Sequence, residues 1–109
     1  GDLPKYLIGL LLSWIIAAFL EEIVFRGYLI NRFIDLIGVS VCKKIIIVLV
    51  TGIGFGLVHS YQGINGAISA GFIGVFQAIT YFLCGKKLTI PIIAHGVFDT
   101  IEFTLLFLG

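Results

Sequence analysis

The chain has 109 residues, 60% hydrophobic and only 12% charged, with a mean hydropathy of +1.18 and a net charge of +1. A soluble domain of this size carries about 25% charged residues, so the polar surface of a soluble fold is missing and the composition is that of an integral membrane protein, one domain over residues 1–109. The charge balance supplies no basic arm for nucleic acid, and Cys42 and Cys84 are too few and too far apart for a zinc pattern; each reads as a small apolar residue near a helix end.

The first apolar run, Tyr6 to Leu20, carries no charge. It imitates a signal-peptide core, but it lacks a basic n-region, and Glu21-Glu22 follow where a small-residue cleavage site would stand. The chain starts at Gly1 rather than Met and reads as an excised or truncated domain. Asp2 and Pro4 suit the cap and first turn of a helix. That helix is predicted to continue past Glu21, Glu22 and Arg26 and to end near Gly38, a length of ~50 Å at 1.5 Å per residue. It must tilt, kink or lie partly along the interface.

From Ile45 to Gly85 there is no Asp, Glu, Lys or Arg, a stretch of 41 residues. One span needs roughly 20, so two are predicted: a second helix from about Val41 to His59 and a third from Gly66 to about Cys84. Ser60 to Gly66 is the turn between them. Gly52 and Gly56 make a small-residue pair for close helix approach, and Gly66, Ala70, Gly74 and Ala78 make a small face on the third helix. After Lys86 and Lys87, a fourth helix is predicted over Thr89 to Leu108, with Pro91 in its first turn. The expected fold is therefore all-α: a polytopic membrane helical bundle of about four transmembrane helices. Arg32, Lys43, Lys44, Lys86 and Lys87 fall at one end of this zigzag, which the positive-inside rule places in the cytoplasm. Both cysteines are then on the side where thiols stay reduced.

Glu21, Glu22, Arg26, Asp99 and Glu102 all lie inside apolar segments. Each charged side chain costs about 2.5–3.5 kcal/mol at mid-membrane, so the set costs on the order of 10 kcal/mol, and residues of this kind mark functional sites. Glu22 and Arg26, four apart, can form an ion pair on one helix face. Glu21 points about 100° away on a regular α-helix, which suggests Glu21 for chemistry and the Glu22–Arg26 pair for support on another face. His59 closes the second helix, with Phe55 one turn earlier. His95, Asp99 and Glu102 share a face of the fourth helix, and Glu102 is expected to meet a basic group or approach the far interface.

Together Glu21, His59, His95 and Asp99 have the donors to bind zinc or another divalent metal, with an open position for water. They can equally hold a water without metal, with Glu21 as general base and His95 and Asp99 on the developing oxyanion. Both are parts of peptide hydrolysis. A non-enzymatic binding site would use the same polar cluster. Proton or cation transport is a third reading, but the chain lacks a repeat or broken-helix pattern. One tension follows from length: from the lysine end at 1.5 Å per residue, His59 lies ~24 Å deep and His95 ~12 Å.

Glu21-Glu22-Ile23-Val24-Phe25-Arg26 matches E-E-x-x-x-R, Phe55 to His59 matches F-x-x-x-H, and His95 to Asp99 matches H-x-x-x-N/D. In this order, on successive apolar helices, they resemble the CPBP family of intramembrane proteases. That family includes type II CAAX prenyl endopeptidases and bacterial Abi or bacteriocin-immunity proteins. The resemblance implies a helical core in a bacterial cell membrane, with its site within the bilayer and open to the cytoplasm. It implies Glu21 as the catalytic glutamate, His59, His95 and Asp99 as its partners, and a membrane-bound peptide or protein, CAAX or prenylated in type, as substrate. It also implies an alternative, a non-catalytic immunity protein.

Overall fold

The computed structural model describes residues 2–109 as four helices: α1 (Leu3–Ile37), α2 (Val41–Val58), α3 (Gly63–Leu83) and α4 (Thr89–Leu108). Each is long and apolar enough to cross a membrane. The bundle measures 48 × 28 × 17 Å. Its outer surface carries Leu36, Phe72, Leu83 and Leu106 exposed to the surroundings, as a lipid-facing surface requires.

Asp2 caps α1 by accepting the Lys5 N–H, with Pro4 in the first turn. The helix then runs unbroken for 35 residues, but not as a uniform α-helix. Over Ser13–Glu21 and again over Ile23–Ile30 its backbone pairs i→i+5. Such widened turns are rare and concentrate at functional sites. Gly38, at φ +81°, ends α1 where an L side chain would be strained. Ser40 then caps α2 through the Lys43 N–H.

α1 is the spine on which the other helices divide. Its first half carries α4, running antiparallel: Tyr6 meets Thr104, Trp14 meets Thr100 and Glu22 meets His95. Its second half packs against the α2–α3 hairpin, where Ile30, Ile47, Val48, Ala78 and Tyr81 form the buried apolar cluster. Lipid tails are as apolar as that cluster, so close packing rather than escape from water holds it. The hairpin shows how close. A Cβ on Gly56 would sit 2.7 Å from the Ala67 carbonyl oxygen, and one on Gly74 would sit 3.2 Å from Gly52 Cα. Gly54 has open space around it.

α2 and α4 do not start level with each other. Leu88, just before α4, covers Gly27, whereas Lys43 at the start of α2 lies beside Gly38. Those glycines are 11 residues apart on α1, or roughly 16 Å at α-helical rise. This stagger resolves the depth tension: the far end of α2 and the near end of α4 arrive at the same level of α1.

Candidate active site

That shared level is Glu21–Arg26. Glu22 and Arg26 form the expected ion pair, Arg26 Nη1 to Glu22 Oε2 at 3.4 Å, with side chains only 0% and 1% exposed. The pair does not stand apart from the site. Glu22 Oε2 also accepts a hydrogen bond from His95 Nδ1 at 2.8 Å. The expectation of a supporting pair on another face is thereby corrected, because α4 packs over the face that holds Glu22. Arg26 further donates through Nη2 to the Gly74 carbonyl at 2.7 Å and lies 4.8 Å from the Phe55 ring centre. It ties α1 to α3 and α2 at once.

Phe55 is the common wall. Its ring lies 4.4 Å from that of His59, 5.1 Å from that of Phe25 and 6.1 Å from that of His95. One turn after Phe55, α2 ends at His59. There His59 Nδ1 donates to the Phe55 carbonyl at 2.7 Å, which leaves Nε2 as the acceptor nitrogen. Both histidines are thus engaged at Nδ1 and turn Nε2 toward Glu21. Glu21 Oε1 lies 3.7 Å from His59 Nε2 and 3.9 Å from His95 Nε2. It is buried and has no direct hydrogen-bond partner among the described residues. These separations are too long for direct hydrogen bonds, and a water seated beside the three atoms can bond to them.

Asp99, one turn beyond His95, places Oδ2 3.4 Å from His95 Nε2 and accepts a hydrogen bond from Ser13 Oγ at 2.8 Å. Ser13 is a site residue that helical-wheel reasoning misses. On a 3.6-residue helix, nine residues are about two and a half turns, so Ser13 and Glu22 would point in opposite directions. The i→i+5 pairing widens the turns, and both side chains reach α4.

In donor type the site suits a metal: two imidazole Nε2 atoms with their Nδ1 atoms held from behind, the usual outer-shell arrangement, and two carboxylates. Among the described residues, however, no three His, Cys, Asp or Glu side chains converge as a preformed metal centre.

A cavity of about 630 Å³ leads away from Glu21, His59 and His95. Its further wall includes Gly9, Tyr61, Gln62, Asn65 and Glu102. It therefore extends toward the Ser60–Gln62 turn and the first residues of α3, away from Lys43, Lys44, Lys86 and Lys87. Glu102 lines the cavity, and of its two expected surroundings the basic partner is not found among the described residues. Gln77, buried at 1% exposure, donates to the Pro91 carbonyl at 2.8 Å, one turn before His95.

A family model described as type II CAAX prenyl endopeptidase, Rce1-like, matches residues 3–101. No curated protein and no solved structure matches the chain.

Proposed function

The chain belongs to the Rce1-like family of type II CAAX prenyl endopeptidases, and we propose that it hydrolyses a peptide bond in a membrane-associated protein or peptide by a water activated at Glu21. The observation that carries this reading is the convergence of Glu21 Oε1 with Nε2 of His59 and His95 at 3.7 and 3.9 Å, at one end of the cavity.

A water between these atoms gives up a proton to the Glu21 carboxylate as its oxygen attacks the substrate carbonyl. His59 keeps Nε2 directed at the water because Nδ1–H is fixed on the Phe55 carbonyl. His95, held from behind by Glu22, presents Nε2 where the oxyanion develops, and a proton there stabilises it. When the C–N bond breaks, Glu21 returns its proton to the leaving amine, giving a carboxylate and an amine. Zinc or another divalent metal would be held by Nε2 of His59 and His95 with Glu21 or Asp99, and would supply Lewis acidity toward the carbonyl oxygen. The substrate class that follows from the family is a prenylated CAAX-type protein.

The test is hydrolysis of a farnesylated CAAX peptide by protein purified in detergent, with metal analysis before and after chelation. Glu21→Gln and His59→Ala are each expected to lower kcat by about 10²–10⁴-fold, as loss of a general base does. Activity within tenfold of wild type in Glu21→Gln removes the mechanism. Activity lost on chelation and restored by one metal assigns that metal to the histidines.

A further inference from the structure

We propose that Ser13 is a positioning residue for Asp99, fixing which carboxylate oxygen faces His95. The proposal rests on the hydrolytic reading of the site and adds a residue outside the three motifs.

A hydroxyl in an apolar helix ordinarily bonds back to the carbonyl four residues earlier. Thr104 is paired across the helices with Tyr6, but three other threonines follow that habit: Thr51 donates to Ile47 O, Thr80 to Phe76 O and Thr100 to Gly96 O. Ser13 does not. Its backbone N–H takes the Gly9 carbonyl, while its Oγ–H crosses to α4 and donates to Asp99 Oδ2 at 2.8 Å. Ser13 is buried and lines the same cavity as Glu21, His59, His95 and Asp99. The widened helix turns it toward α4.

The chemistry follows from what a hydroxyl donor requires. Asp99 Oδ2 must remain an acceptor, so any proton on Asp99 resides on Oδ1. The oxygen fixed by Ser13 is the one 3.4 Å from His95 Nε2. Ser13 thereby keeps an acceptor facing Nε2 and prevents the carboxylate from rotating away. General helix docking does not need it, because Tyr6–Thr104, Trp14–Thr100 and Glu22–His95 join the same two helices on either side.

The test compares Ser13→Ala and Ser13→Thr with wild type in farnesylated-peptide hydrolysis and thermal melting in detergent. Ser13→Ala is expected to lower kcat about tenfold with KM and melting temperature little changed, and Ser13→Thr, which keeps the donor, to restore about half of the rate. In an Asp99→Ala background, Ser13→Ala should have no further effect. The carboxyl infrared band of Asp99, assigned by difference from Asp99→Asn, should shift in Ser13→Ala and stay in Ser13→Thr. That band is read without turnover, so it tests the positioning even if no peptide is cleaved. Glu21→Gln tests the hydrolytic reading separately. An unchanged band, wild-type kcat in Ser13→Ala, or the same loss with and without Asp99 overturns the proposal.

Discussion

Glu22 sits between two demands. Its Oε2 atom faces both the Arg26 guanidinium and His95 Nδ1. The first contact balances charge in a region closed to water; the second orients a candidate catalytic ring. Substitution separates them. Arg26→Leu leaves Glu22 buried and uncompensated, and breaking a buried pair this way costs about 3–5 kcal/mol. Glu22→Leu together with Arg26→Leu removes both charges, and such replacements are often neutral or stabilising. The double variant should therefore regain most of its thermal stability in detergent. It should not regain peptide hydrolysis, because His95 Nδ1 no longer has the carboxylate that fixed its ring. Melting curves and turnover measured on the same preparations check both halves. A double variant that cleaves like wild type would remove Glu22 from the site and leave it a packing residue.

At the scale of the helices, the α2–α3 crossing sets where Phe55 and His59 stand. Gly56 and Gly54 are both glycines of α2, yet opposite outcomes are expected for alanine. At Gly56 the added methyl meets the backbone of Ala67 and Gly71, which cannot yield without separating the helices. Gly56→Ala should cost about 1–3 kcal/mol, as overpacking does, and move His59 away from Glu21. At Gly54 nothing lies within 4 Å, and removing a helix glycine should gain about 0.5–1 kcal/mol. Thermal melting orders the two variants, and hydrolysis should fall only in Gly56→Ala. The small-residue spacing was legible in the sequence as a packing signal, but which glycine meets backbone depends on the crossing itself. The same holds for the site. Glu21, His59, His95 and Asp99 were legible because charged and imidazole side chains are costly in apolar helices. Ser13 was not, because a hydroxyl there costs little and its direction follows from i→i+5 turns that no side-chain pattern announces. The stagger of α2 against α4 was legible only as the depth mismatch between His59 and His95; the contacts of Leu88 and Lys43 along α1 show the offset that accounts for it.

The molecule as a whole has two unlike ends. Arg32, Lys43 and Lys44 gather at one, while the cavity leads to the other, where Gln62 and Asn65 border it. Between them the buried Glu22–Arg26 pair and the apolar cluster around Ile30 and Ile47 fill the interior. A substrate approaching from the basic end therefore meets packed side chains, whereas one approaching from the turn meets the cavity. Cysteine accessibility tests this in sealed proteoliposomes with a membrane-impermeant maleimide. Cys42 is exposed at the basic end and serves as one reporter once Cys84→Ser removes the other thiol. Asn65→Cys, combined with Cys42→Ser and Cys84→Ser, reports the cavity end. The two thiols should react from opposite faces of the membrane. Modification of Asn65→Cys should lower farnesylated-peptide hydrolysis by at least about tenfold, since the adduct occupies the path along which the peptide must be held for reaction. Modification of Cys42 should leave the rate unchanged. Labelling of both thiols from one face would contradict the antiparallel arrangement of the helices, and inhibition through Cys42 would place the substrate route at the basic end. In intact cells the same reagents assign the ends to compartments.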